Sequence, residues 1–165
     1  LLMVNPPAEE AIKTPPPPGN ISVIVTWQDG DSDVDTWLMA PEEPAPVGYS
    51  NKNGAVWDLL RDDTGLGSHD QLKSNFENGY TSFLPDGEYI VNVHAYGLTD
   101  VLPLAVSVEV LINTGGSSMD RIYAGSVQFS AKGEELTVTR FRIYEGKLVR
   151  SSINDVPIKL RSGDK

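Results

Sequence analysis

The sequence predicts an all-β protein, an antiparallel β-sandwich of Ig-like or jelly-roll-like type with about eight to ten strands. Three observations lead to this prediction. Short apolar or alternating runs recur along the chain, and turn residues such as Asn-Gly and Asp-Gly separate them. No stretch has a sustained helical period. The length of 165 residues, 39% of them hydrophobic, fits one domain with a substantial core.

Residues 1–20 are predicted to form a membrane-exit and proline-rich stalk outside this domain. The apolar tetrad Leu1–Val4 is followed by residues 5–20, which hold six of the twelve prolines. Such a composition favours extended polyproline II structure. We therefore expect an N-terminal membrane helix upstream of Leu1, from which the stalk carries the domain into the periplasm or to the cell surface. A peptide ligand for an aromatic groove is the alternative.

Residues 21–153 are predicted to form the sandwich, and residues 154–165 a polar C-terminal tail that frays. Within the sandwich we expect a turn at Asn78-Gly79 and two hairpins, one through residues 131–134 and one through Glu145-Gly146. The predicted strands, in chain order, are Ile21–Trp27, Val34–Ala40, a short Gly48–Asn51, Ala55–Leu60, Leu72–Leu84, Glu88–Tyr96, Leu104–Ile112, Ile122–Ser130, Glu135–Tyr144 and Lys147–Ile153.

The chain is acidic, with a formal net charge of −10 and an isoelectric point near 4.5. The phosphates of nucleic acids and an anionic membrane surface would repel it. The predicted partners are therefore a cation, another envelope protein or a basic protein surface, with a homo-oligomer also open. Membrane contact is expected only through the N-terminal helix. Because the chain has no cysteine, disulfides, thiol nucleophiles and thiolate metal sites are excluded.

The most distinctive stretch is DGDSDVD, which sets four carboxylates at every second position between two apolar runs. A strand-like period would aim them to one side, where they need either full solvation or a cation. An EF-hand loop is excluded, because its sixth position requires Gly and its twelfth Glu, and Val34 and Ala40 stand there. The four carboxylates are those of Asp29, Asp31, Asp33 and Asp35.

A second acidic group follows in WDLLRDDTGLGSHD, at Asp58, Asp62, Asp63 and Asp70. If both loops lie at the same end of a sandwich, their carboxylates converge in a form that suits Ca²⁺, which takes about six to eight oxygen ligands. A solvated acidic rim is the alternative. The predicted calcium ligands are Asp33, Asp35, Asp62 and Asp63, with Asp29, Asp31 and Asp70 as further candidates.

We expect a non-catalytic binding or assembly module and not an enzyme. His69 and His94 are the only histidines, which excludes a multi-histidine zinc site, and Ser68-His69 matches no nucleophile elbow. One alternative is a carbohydrate-active module or glycoside hydrolase with paired carboxylates beside Trp37 or Trp57. The simpler interpretation of these tryptophans is anchoring in the core. A third possible class is a virion or fibre component.

The segment from Val25 to Gly97 resembles the YfaP-type β-sandwich domains of secreted and periplasmic bacterial proteins. The motifs that carry the resemblance are VTW, DVDTWLMAP, LLRDDTGLG and DGEYIVNVHAYG. The resemblance covers about half the chain and implies a sandwich fold and a place outside the cytoplasm, on a single-span envelope protein. It implies no particular reaction. The loop Glu42–Pro46 departs from the family pattern, so the family does not define a ligand at that end.

Overall fold

The computed structural model describes residues 20–28, 30–61, 75–99, 101–113 and 119–162. Within these ranges the chain forms two antiparallel sheets that pack against each other, which confirms the predicted β-sandwich. The nine strands are β1 (Ile21–Trp27), β2 (Asp33–Met39), β3 (Trp57–Arg61), β4 (Asn75–Thr81), β5 (Gly87–Gly97), β6 (Leu104–Asn113), β7 (Met119–Phe129), β8 (Glu135–Tyr144) and β9 (Lys147–Asn154). The five-stranded sheet has the order β3-β4-β1-β6-β7, and the four-stranded sheet has the order β2-β5-β8-β9.

The core lies between the two sheets and is built from alternate strand residues. Val23 and Val25 of β1 face inward and are fully buried, because strand geometry places every second side chain on the same face. Val91 and Val93 of β5 meet them from the four-stranded sheet. Each fully buried aliphatic side chain contributes about 1.5–3 kcal/mol, so this apolar layer is the main source of stability.

Tyr89 fixes the corner at which the chain enters β5. Its hydroxyl donates a hydrogen bond to the carbonyl oxygen of Pro85 at 2.5 Å, and its ring stacks on Phe141 at 5.4 Å. Burial raises the pKa of the Tyr89 hydroxyl, with smaller contributions from Asp86 and Glu42. A tyrosine that bonds the backbone a few residues upstream is a known corner element of Ig-like sandwiches.

The predicted turn at Asn78-Gly79 is wrong, because both residues lie inside β4. This strand is central, with β1 on one side and β3 on the other. A side chain at Gly79 would place its Cβ atom 2.9 Å from the carbonyl oxygen of Asp58 and 3.0 Å from Leu38. Glycine therefore serves close packing here, and pairing on both edges overrides the local turn propensity.

The two predicted hairpins have different outcomes. Residues 130–134 do not close a hairpin, because β7 belongs to the five-stranded sheet and β8 to the four-stranded one. The Glu145-Gly146 hairpin is confirmed, and both residues have positive φ angles, 51° and 74°. The Asp86 carboxylate accepts hydrogen bonds from both turn amides, at 2.8 and 3.1 Å.

The expectation of a frayed tail is wrong for residues 155–162, which lie across the outer face of the four-stranded sheet. The carbonyl oxygen of Ile158 accepts hydrogen bonds from Asn92 Nδ2 at 2.6 Å and Thr137 Oγ1 at 3.1 Å. Leu160 is buried in a small cluster with Trp37 and Ile90. The tail therefore covers polar and apolar groups that would otherwise face water.

Candidate functional site

The turn between β1 and β2 lies beside the start of β4, at one end of the sandwich. Asn75 Nδ2 donates hydrogen bonds to the carbonyl oxygens of Gln28 and Gly30, at 2.9 and 3.0 Å. Ser32 Oγ accepts a hydrogen bond from the Thr99 amide at 3.0 Å. Because β3 ends and β4 begins here, the strand ends that flank both acidic segments share one end of the molecule, which we call the acidic end.

Half of the predicted calcium ligands can be placed. Asp62, Asp63 and Asp70 lie outside the described residues, as do Asp29 and His69. Asp31 is exposed in the turn. Asp33 and Asp35 occupy alternate positions of β2 and are both buried, Asp35 completely. A period of two favours one face of the strand for both residues, and the register with β5 shifts between Asp33 and Val34.

Asp35 meets His94 on the neighbouring strand β5. The two residues are directly opposite each other in the register, and Asp35 Oδ2 lies 3.5 Å from His94 Nδ1. Both side chains are almost inaccessible to water, with 1% and 7% exposed. A buried carboxylate needs a polar or charged neighbour to offset its lost hydration, and His94 supplies one.

A third titratable residue, Glu135 on β8, is the register partner of His94. The Glu135 carboxylate accepts hydrogen bonds from Asn92 Nδ2 and from the Leu160 amide, both at 2.6 Å. Asp35, His94 and Glu135 thus form a row across β2, β5 and β8, and the tail contacts Glu135. No sequence pattern predicts this row, since the strand register brings these residues together.

Other carboxylates also accept hydrogen bonds from backbone amides. The Glu43 carboxylate accepts hydrogen bonds from the amides of Ala55 at 2.6 Å and Trp57 at 2.8 Å. These bonds join the loop Glu42–Pro46 to the start of β3. Burial raises the pKa of the nearby Asp58 carboxyl, and the negative charge of Glu43 raises it further. Glu77 is fully buried between the sheets and accepts a hydrogen bond from the Thr36 amide at 2.7 Å.

The three tryptophans are buried, as expected for core anchors. Trp27 and Trp57 donate through their indole nitrogens to the carbonyl oxygens of Ser32 and Met39, each at 3.0 Å. Trp37 is fully buried and meets the ring of Tyr49 edge to face, with 5.4 Å between ring centroids. None of the three rings is exposed enough in this conformation to be a sugar platform.

Two further observations bear on the site. Among the residues that the structure describes, no group of three or more Asp, Glu or His side chains is arranged to hold a metal ion. The same residues contain no helix, and hence none that could cross a membrane.

In comparisons with known proteins, no family model, curated protein or solved structure matches the chain.

The contact between Asp35 and His94 predicts a difference between two neighbouring aspartates. We expect Asp35→Asn to lower the free energy of unfolding by about 1–3 kcal/mol, because the amide weakens the buried contact with His94 Nδ1 and leaves polar atoms poorly matched. The exposed Asp31→Asn serves as the matched control and should change it by less than about 0.5 kcal/mol. Urea unfolding of the two variants measures this, and equal effects would contradict a structural role for Asp35.

Proposed function

We propose that the chain is a non-catalytic binding or assembly module of a bacterial envelope protein, displayed outside the cytoplasm. The observation that carries this proposal is the structural use of its carboxylates. Glu43, Glu77 and Glu135 accept hydrogen bonds from backbone amides, and Asp35 contacts His94. A carboxylate that transfers protons must reach a substrate, whereas these four stabilise loops, a sheet edge and the tail.

The resemblance to YfaP-type domains supports the same proposal. Its motifs DVDTWLMAP and DGEYIVNVHAYG include β2 and β5, which are hydrogen-bonded neighbours, and VTW ends β1. That family implies a place outside the cytoplasm and no particular reaction. Residues 1–20, rich in proline, would serve as the stalk between an N-terminal membrane anchor and the sandwich.

Calcium binding at the acidic end is part of the proposal. Asp35 contacts His94 and is fully buried, so direct coordination would fall mainly to Asp33 together with Asp62 and Asp63. Asp35 would then hold β2 in the position that presents Asp33. Ca²⁺ accepts carboxylate and carbonyl oxygens in flexible loop geometry, and it would offset the charge of neighbouring aspartates.

Calcium should therefore stabilise the protein measurably. A ligand at about one hundred times its dissociation constant adds about 2.7 kcal/mol to the free energy of unfolding, so millimolar Ca²⁺ should raise the melting temperature relative to a chelator. The double variant Asp62→Asn/Asp63→Asn should lose this response, and Asp155→Asn, exposed near the tail, should keep it. An unchanged melting temperature of the native chain in Ca²⁺ would exclude the calcium site.

The proposed location has its own test. In spheroplasts of the native cells, added protease should degrade the domain while a cytoplasmic marker protein stays intact, because the stalk would hold the domain outside the inner membrane. Immunoblotting with an antibody to the sandwich measures the loss. Degradation that requires prior lysis of the spheroplasts would contradict an extracytoplasmic module.

A further inference from the structure

The sandwich has four edge strands, and two of them are covered by other parts of the chain. On β2, the backbone of Leu38 exchanges two hydrogen bonds with Val47, both at 2.8 Å, and the Thr36 amide binds Glu77. On β3, the Leu59 amide donates to the carbonyl oxygen of Lys52 at 2.8 Å. These contacts use backbone groups that would otherwise be free to pair with another chain.

The edge strand β9 is protected in a different way. It carries Lys147 and Arg150, and its pairing with β8 is irregular, with a shift of register along the strand. Charged side chains and bulges are the usual means by which proteins discourage pairing at an edge. Arg150 also extends to β7, where it donates to the carbonyl oxygen of Arg121 at 3.3 Å.

The fourth edge, β7, has charged side chains, a register shift and the Arg150 contact at its start, and among the described residues nothing comparable covers the rest of it. This strand of 11 residues pairs with β6 from Asn113↔Met119 to Leu104↔Phe129 and is the last strand of its sheet. Residues 122–129 contain neither a charged residue nor proline. Ala124, Ser126 and Gln128 are exposed. A long, uncharged edge of this kind is a site for the addition of a further strand.

We propose that β7 pairs antiparallel with β7 of a second copy of this chain, which extends the five-stranded sheet across a two-fold axis. This inference rests on the proposed function, since it names the assembly that such a module would form. A two-fold interface uses the same surface on both copies, and one edge strand meets that requirement because it offers donors and acceptors to an identical strand. No additional segment or ligand is needed.

The distribution of charge favours a second copy in this orientation. At the acidic end the structure places Asp31 in the turn before β2, and Asp33 and Asp35 at the start of that strand. Near β7 the charges are already paired, as in Arg121–Glu109 at 3.3 Å and Arg150–Asp120 at 3.8 Å. Phe129 lies toward the acidic end, since it pairs with Leu104 beside Val106, the partner of Trp27. Antiparallel pairing therefore points the two acidic ends in opposite directions, whereas parallel pairing would bring them together.

A shallow depression of ≈ 580 Å³ lies on the outer face of the five-stranded sheet, beside β7. Small side chains such as those of Thr26, Ser107 and Ser126 line it together with Ile24 and Glu109. At the edge itself the exposed side chains of Ala124 and Ser126 are small, and a second β7 would pair about 4.8 Å away.

A lysine on the edge tests the interface, and the chain offers a matched control. Ser126 on β7 and Ser107 on β6 are register partners on the same exposed face, one strand apart. We expect the full-length protein to form a dimer in light scattering after size exclusion. Ser126→Lys should raise the dissociation constant of the dimer at least tenfold, because two like charges meet across the axis. Ser107→Lys should change this constant less than threefold. A monomer at every concentration tested, or equal effects of the two variants, would overturn the inference.

Single cysteines test the orientation, since the chain has none of its own. In Ala124→Cys, Ser126→Cys or Gln128→Cys, a disulfide can join only the same residue of two copies, and it requires Cβ atoms about 3.5–4.5 Å apart. Antiparallel pairing predicts one strongly cross-linked position and a steep fall with distance from the axis, with Ser107→Cys as the background. Equal cross-linking at all three positions would contradict it. A monomer that is still protease-sensitive in spheroplasts would refute the dimer and leave the proposed function standing.

Discussion

The hydrogen bond between the Thr36 amide and the buried Glu77 carboxylate joins the two sheets where β2 has no strand on its outer side. A buried backbone amide without an acceptor costs about 1–3 kcal/mol, so the chain needs an acceptor at this point. The same requirement recurs wherever a sheet ladder or a turn ends. Carboxylates that accept hydrogen bonds from backbone amides are those of Glu43, Glu77, Asp86, Glu134 and Glu135.

The need for acceptors of backbone amides gives several of the chain's acidic residues a structural role. Among the described residues, several carboxylates are engaged with the backbone, and Asp35 contacts His94. They hold the edge strand β2, the start of β3, the turn between β8 and β9, and the tail. In the part of the chain that the structure describes, the exception among the edge strands is β7, where Arg150 contacts the charged start of the strand and nothing else covers its outer edge. Because the other edges are covered or charged, β7 is the edge at which we propose that a second copy pairs.

The sequence predicted the fold well where strand patterns are regular. β1 and β8 have the predicted bounds, because apolar residues and turn residues mark both ends. Local signals failed where tertiary pairing decides the outcome, as at Asn78-Gly79, which has turn residues but lies in a central strand. Whether residues 131–134 form a hairpin or a connection between sheets depends on the sheet to which β8 belongs. No local sequence pattern determines that sheet.

The site was less predictable than the fold. That one face of β2 is favoured for Asp33 and Asp35 follows from the period of two, and so does the burial of alternate core residues. The contact between Asp35 and His94 could not be predicted from this period, because it depends on the pairing of β2 with β5. His94 stands 59 positions later in the chain. The docked tail was missed for the same reason, since Ile158 and Leu160 stand in a polar segment whose partners, Asn92 and Glu135, are distant in sequence.

Amide hydrogen exchange in the variant Glu77→Met tests the role of the buried carboxylates most directly. Methionine fills a similar volume but offers no comparable hydrogen-bond acceptor. The protection factor of the Thr36 amide against exchange should therefore fall at least tenfold. The Leu38 amide, which binds the carbonyl oxygen of Val47 on the same strand, is the internal reference and should keep its protection relative to the core. Equal changes at Thr36 and Leu38, or none at either, would contradict the account.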